Sequence, residues 1–403
     1  MIEIILFCFL GSIIGFFSGL VPALHQNVLI PVFLLFLFQN EIIAITFLVS
    51  LAISQNFGNA ISSYLLSSPP EELSLSTLPS QRLAKEGLLL EALRIYVLSA
   101  ILVVPTSTII ALFLHQYISS IILKVSDYIA LIMLIVLYII FFLEKEKAKS
   151  FIIFLLSGFL GLISFNLIDF NKAVLAIFSG FFAMSQIFIN LIQKENFLKI
   201  QKEDVEIKIN KKSVLIGIFL SLFLGMFAGL LPSLGTSQII LIFQPILNDR
   251  MFIFLNSGVS FSNEIFSATS SYTIGNPRSG LSVYLEQTFG KATYEIFILM
   301  LSVFTISTFF SSIIFLLFYK NLFRFFQKIN FKILNVSIFI LIFLIVFYFS
   351  GLIGVLILLT SFFLSLITIF SNIKRSYLMG SLILPTILIY SGYYSFVLSI
   401  LNL

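Results

Sequence analysis

Long apolar runs alternate with short polar connectors along this chain. Runs of about twenty residues lie near 95–114, 128–143, 151–168, 173–192, 213–231, 296–319, 333–350, 352–372 and 377–400. As helices, each can cross a hydrocarbon core roughly 30 Å thick. The pattern predicts an all-α polytopic membrane protein. Residues 2–21 are apolar too, without a basic leader region or a small-x-small cleavage site, so they are expected to persist as a helix.

The polar connectors carry the basic residues. They are 80–94 (Arg82, Lys85, Arg94), 144–149 (Lys145, Lys147, Lys149), 194–212 with six lysines, 320–332 (Lys320, Arg324, Lys328, Lys332) and the pair Lys374–Arg375. Placing all of them on the cytoplasmic side makes helical hairpins of 95–114 with 118–143, 150–168 with 173–192, and 331–350 with 352–373. Connector 67–87 then falls inside and connector 275–292 outside, with four helices after each. The expected plan is two inverted-topology repeats, 1–193 and 213–403, joined by a charged cytoplasmic linker at 194–212. Both termini fall outside. The parity requires an odd number of crossings from each repeat's start through 22–66 or 232–275, and one or three both fit.

A repeated motif supports that plan. GFFSGLVPAL at 15–24 and GMFAGLLPSL at 225–234 share six of ten positions, among them Gly15/Gly225, Gly19/Gly229 and Pro22/Pro232. The Gly-x-x-x-Gly spacing lets a second backbone approach closely. Proline removes a backbone donor and ends the preceding helix. Short polar runs follow, His25-Gln26-Asn27 and Gly235-Thr236-Ser237-Gln238. Broken helices or re-entrant hairpins at the midplane are expected here, since irregular backbone survives in a membrane only beside protein or water. Two inverted breaks aim two half-helix N-termini at one point, which suits an anion. The alternative is a pair of proline kinks with packing seams.

A second block repeats as well. SQNFGNAISSYLLSSP at 54–69 aligns with 262–277, keeping Ser54/Ser262, Ala60/Ala268, Ser62/Ser270, Ser63/Ser271, Tyr64/Tyr272 and Pro69/Pro277. Asn56, Asn59, Ser62 and Ser63 fall at helical spacing, as do Asn263, Ser267, Ser270 and Ser271, so each set can line one face. Apart from Ser267, they form the candidate substrate site with Pro22, His25, Asn27, Gly235, Thr236, Ser237 and Arg278. Glu264 stands opposite Asn56 in an otherwise uncharged stretch. A carboxylate at membrane depth is costly and faces a cavity or a partner. With Asn263 and Ser267 it is a candidate for a coupling Na+ or proton, the alternative being a structural hydrogen bond or a pair with Arg278. Arg278 itself suits a substrate anion or a lipid headgroup. His25 is either a charge switch or a structural imidazole, and its counterpart, Gly235, cannot ligate.

Composition narrows the classes. Of 403 residues, 59% are hydrophobic and 10% charged, too few charges to cover a water-soluble surface. The net charge of +5 sits in the connectors and reads as topology, so no nucleic acid is expected. One cysteine, Cys8, excludes an intrachain disulfide, and with only two histidines no metal cluster or cofactor is expected. Glu91 with Arg94 and Lys124 with Asp127 are expected local ion pairs. No nucleophile elbow, phosphate loop or catalytic carboxylate pair is present in a fitting context, so no enzyme is expected.

GFFSGLVPALHQN, followed by AISSYLLSSPPEELSLSTLPSQRLAKEGLLLEALRI, resembles the large permease subunit of tripartite tricarboxylate transporters, the TctA family. Leu78-Pro79 to Gly87, with Ala92-Leu93, sits where that family has a Tyr-Pro-Leu-Ala-x-x-Gly run and an Ala-Leu-rich helix. Gly225 to Gly235 and Gly275-Asn276-Pro277 match more faintly. The glycine expected after each motif proline is Ala23 and Ser233 here, and Ser68-Pro69-Pro70 replaces Pro-Gly. The His-containing first motif is similar to an archaeal, single-component branch. The resemblance implies a secondary transporter in a prokaryotic plasma membrane, moving a di- or tricarboxylate with Na+ or H+ by alternating access. It also implies a small membrane subunit and an extracytoplasmic binding protein as partners. A homodimer is a further expectation. The same half-helices suit, as an alternative, a translocase for a lipid-linked anion such as polyprenyl phosphate.

Overall fold

The computed structural model describes residues 2–21, 26, 29–30, 33, 40–66, 74–125, 128–142, 144–193, 201–202, 206–230, 236–241, 243, 247–275, 279–328 and 330–401. The protein is all-α. The first half of the chain supplies α1 (Ile2–Gly19), α2 (Glu41–Leu66), α3 (Ser74–Lys85), α4 (Leu89–Val125), α5 (Ile129–Phe142), α6 (Lys147–Leu167), α7 (Phe170–Phe178) and α8 (Ser185–Gln193). A π-helical turn, Ser179–Met184, joins the last two. The second half supplies α9 (Lys211–Leu230), α10 (Thr236–Leu241), α11 (Asp249–Ile274), α12 (Gly280–Phe289), α13 (Tyr294–Lys328), α14 (Phe331–Phe370), α15 (Gly380–Tyr390) and α16 (Tyr394–Leu401), with a 3-10 turn, Arg375–Met379, before α15. Eight of the described helices are long and apolar enough to span a membrane.

The order of lengths repeats: α2 and α11 each have 26 residues, and α4 and α13 have 37 and 35. Contacts divide the chain into two compact units. Unit 1 holds Met1–Leu123, Asn196–Pro232 and Phe243–Ile329; unit 2 holds Lys124–Glu195, Ser233–Ile242 and Asn330–Leu403. Each unit draws on both sequence halves.

In unit 1, glycines set the closest packing. A methyl added at Gly11 would meet Phe47 and Ser50, one at Gly15 would meet Leu51, and one at Gly19 would meet Gln55, Gly58 and Asn59. Contacting residue numbers rise together, so α1 and α2 run parallel. The second half does the same: Gly217 meets Met251 and Phe254, Gly225 meets Ser262 and Asn263, and Gly229 meets Asn263, Phe266 and Ser267. Parallel neighbours oblige the chain to return from the end of α1 to the start of α2. Phe33, on the way back, packs its ring 4.9 Å from that of Phe47.

Helix directions follow from further contacts. Cys8 Sγ lies 3.4 Å from Ser307 Oγ, and Phe9 and Phe17 pack on Phe310 and Phe318, so α1 runs parallel to α13. Arg94 donates to Tyr319 Oη at 2.5 Å and Thr305 to Thr108 at 3.2 Å, so α4 runs antiparallel to α13. Ser99 donates to the Phe254 carbonyl while His115 packs on Tyr272, so α4 is parallel to α11. Hence α1, α2 and α13 point one way, and α4, α9 and α11 the other. Both 26-residue helices are buried deeply, and Phe57 of α2 meets Phe261 of α11 at 5.2 Å.

Two local expectations need correction. Glu91 does not pair with Arg94. It is fully buried and takes a two-point contact from Arg250 (Nε 2.8 Å, Nη2 2.9 Å), while its Oε1 also accepts from Lys208 N at 2.9 Å. A planar guanidinium from the first turn of α11 satisfies a buried carboxylate better than an i,i+3 neighbour. The second concerns 118–143, expected as one helix after a turn near His115. Instead α4 continues to Val125 and the next helix is Ile129–Phe142. His115 Nδ1 sits 2.9 Å from the Leu112 carbonyl, and its ring packs among Tyr272, Tyr294 and Phe297, which stabilises the helical course there.

In unit 2, α14 folds back on itself. Gly351 has φ 62° and ψ −160°. The rings of Phe339 and Phe362 stand 6.2 Å apart, whereas 23 residues of straight helix would separate them by about 35 Å. The expected hairpin of 331–350 with 352–373 is therefore present. Nothing lies within 4 Å of a methyl built on Gly351, so Gly351→Ala tests backbone strain alone. Its expected cost is about 1–3 kcal/mol, read as a lower Tm of the purified protein; an unchanged Tm would contradict the turn geometry. The second arm packs on α7, the π turn and α8. The π turn is held there because the Phe181 carbonyl accepts from both Ser185 and Ser365 at 2.6 Å. On the other side, Ser157 of α6 donates to the Tyr377 carbonyl at 3.2 Å, and Gly161 lies against Ser381.

Candidate functional site

The described part of the site is built on α11 and on the segment after α1. Asn248 caps α11, its side chain accepting from Met251 N at 2.9 Å, and the helix runs unbroken past Glu264 to Ile274. Small residues on α9 and α11 let these helices pack closely, leaving Glu264 only 4% exposed. Gln26, 5% exposed, approaches from the first half and donates from Nε2 to Glu264 Oε1 at 3.5 Å. Nearby, Ser279 N donates to Ser267 Oγ at 2.5 Å, and the Ser279 hydroxyl donates to Ser282 Oγ at 3.1 Å.

The remaining valences are informative. Glu264 Oε2 and Gln26 Oε1 are both buried and accept no hydrogen bond from the described residues. No cationic side chain among the described residues pairs with Glu264. Spare acceptors on a buried carboxylate and an adjoining amide suit a small cation or a proton, since either neutralises the charge and occupies the lone pairs. They do not suit an anion.

The other expected residues take different places. Ser62 donates to the Gly19 carbonyl at 2.9 Å and so secures the end of α1. Asn56 is buried, and its backbone carbonyl accepts from Tyr96 Oη at 3.3 Å. Asn59 is half-buried beneath Gly19, and Ser63 is fully buried with its hydroxyl unbonded. Asn263 packs its backbone on Gly229, and Ser270 is buried on α11. Ser271 turns to Glu286 Oε2 at 2.5 Å, beside a small open crevice also lined by Glu41 and Ser282. Thr236 opens α10 in unit 2, buried with its hydroxyl unbonded, and Ser237 follows it. Gly15, Gly19, Gly225 and Gly229 lie within helices. Pro22, His25, Asn27, Pro232, Gly235 and Arg278 lie outside the described residues.

Gln26 was absent from the expected site. Its signal was its place between His25 and Asn27, in the polar run after the first break. No group of three or more His, Cys, Asp or Glu able to hold a metal ion occurs among the described residues.

The model of the tripartite tricarboxylate transporter TctA family matches residues 5–380. An uncharacterized protein of Methanocaldococcus jannaschii is 31% identical over 400 residues, covering 95% of this chain and 98% of its own. No solved structure matches. The match runs through both motif copies, the central helices α2 and α11 and most of unit 2, and the chain belongs to the tripartite tricarboxylate transporter TctA family.

Proposed function

We propose that this protein is a secondary active transporter of a di- or tricarboxylate-like anion, driven by Na+ or protons and working by alternating access between two inverted repeats. The observation that carries the cation coupling is the buried pair Glu264–Gln26 with its two unbonded acceptor oxygens. The inverted-repeat reading is supported by directions within unit 1, where α1, α2 and α13 oppose their counterparts α9, α11 and α4. On this reading the termini face outside and the linker 194–212 faces the cytoplasm. A small membrane subunit and an extracytoplasmic binding protein belong to the same proposal, because the family is named for tripartite systems.

Reconstitution tests it. Proteoliposomes are expected to accumulate labelled citrate above equilibrium when an inward Na+ or proton gradient is imposed, and to stop when that gradient is collapsed. Uptake indifferent to both gradients would remove the coupling. Exchange of a polyprenyl phosphate without citrate uptake would replace the substrate class with a lipid-linked one.

A further inference from the structure

Each described carboxylate of unit 2 already has a cation. Glu146 pairs with Lys149 at 3.1 Å, Asp169 with Lys172 at 2.7 Å and Glu144 with Lys374 at 3.3 Å. Glu144 also accepts from Tyr377 Oη at 3.0 Å, so two residues flanking Arg375 converge on one acid. Arg375 takes no part. Among the described residues it has no ion pair, and its Nη1 is buried with no hydrogen-bond partner.

Arg375 is half-buried, and an arginine stays charged wherever it is placed, so holding one of its nitrogens out of water unpaired is disfavoured. The residue is also not on a loose loop. It opens the 3-10 turn Arg375–Met379, which packs on α6, α14, α15 and the π turn Ser179–Met184. Two more donors belong to this short stretch. Ser376 and Ser381 are 6% and 0% exposed, and neither hydroxyl has a partner. Spare N–H and O–H groups on the same short stretch as a fixed positive charge match the lone pairs of a carboxylate or phosphate. This is the opposite chemistry to the spare acceptors at Glu264.

We propose that the turn from Arg375 to Ser381 binds an oxyanion, with Arg375 as its charge partner and Ser376 and Ser381 as hydroxyl donors. A soluble carboxylate and an anionic lipid headgroup share that chemistry, and the test separates them. Binding is read without flux, so the outcome is independent of cation coupling.

The measurement is thermal unfolding of the purified full-length protein in phosphatidylcholine nanodiscs, followed by a thiol-reactive dye on the buried Cys8. Millimolar citrate is one arm and added phosphatidylglycerol the other. Ligand binding to the folded state is expected to raise Tm by several degrees in one arm. A shift with citrate identifies a soluble carboxylate, and one with phosphatidylglycerol alone a lipid headgroup. Arg375→Gln is expected to abolish the shift while its own unliganded Tm equals or exceeds that of wild type. Arg375→Lys, which keeps the charge, is expected to retain part of it. The proposal is overturned by no shift in either arm or by a shift that survives in Arg375→Gln. It is equally overturned by an Arg375→Gln protein that is destabilised or unfolded without ligand, because the arginine would then be structural.

Discussion

Membranes carrying Glu264→Gln are expected to contain as much protein as wild type and to drive no citrate accumulation. The substitution keeps the shape of the side chain and removes only its charge. Glu264 is buried on α11 with no cationic partner among the described residues, so its neutral amide analogue relieves a desolvation cost and the fold should not suffer. What disappears is the charge that the proposed coupling ion would neutralise. Accumulation driven by the gradient is expected to fall at least about tenfold, equivalent to ~1.4 kcal/mol. Downhill exchange of labelled citrate, which needs no net coupling, reports whether substrate binding survives. Wild-type accumulation in Glu264→Gln would exclude the residue from coupling. Loss of the protein from the membrane would make it a structural acid.

The largest structural effect is expected from Gly15→Val. A methyl on Gly15 would lie 2.8 Å from Leu51 Cα and 2.9 Å from Leu51 C, against backbone that cannot rotate away. The helices would have to separate along the seam that also holds Gly11 and Gly19. Overpacking commonly costs about 1–3 kcal/mol where side chains can yield, and here backbone opposes backbone. Gly15→Val is expected to abolish the folded protein, measured as the monodisperse fraction after detergent extraction. Ile5→Val, on the same helix and 53% exposed, serves as the control and should extract normally. Equal yields from both variants would refute the close packing of α1 on α2.

The repeat was legible because glycine, proline and serine stand out against leucine and phenylalanine. The offset of the motifs, the hairpin about Gly351 and Glu264 as a lone carboxylate in an apolar stretch could all be read from residue types. Partner choice could not. Glu91 has a basic neighbour three residues on, but its partner Arg250 is 159 residues away, reached only through packing. Gln26 looked like one polar residue among three, and its approach to Glu264 spans 238 positions. His115-Gln116-Tyr117 reads as a turn until aromatic rings from two other helices surround the imidazole. The charges gave no sign that α1 and α2 pack in parallel, which follows only from their contacts. Arg375 looked like a topological charge because nothing in the sequence tells whether a lysine or arginine beside a membrane helix has a partner.

The division of each unit between both halves of the chain has a consequence for biogenesis. Cys8 touches Ser307, and Ser185 touches Ser365, so the last contacts needed by the earliest helices are made by the latest. While the ribosome is still producing the second half, α2 lies in the bilayer with Ser54 and Phe57 uncovered by their eventual neighbours Ser311 and Phe261. Such long-range closure is slow, and incomplete intermediates are prone to wrong association. A nascent chain stalled after residue 193 would therefore contain the first eight helices and neither finished unit.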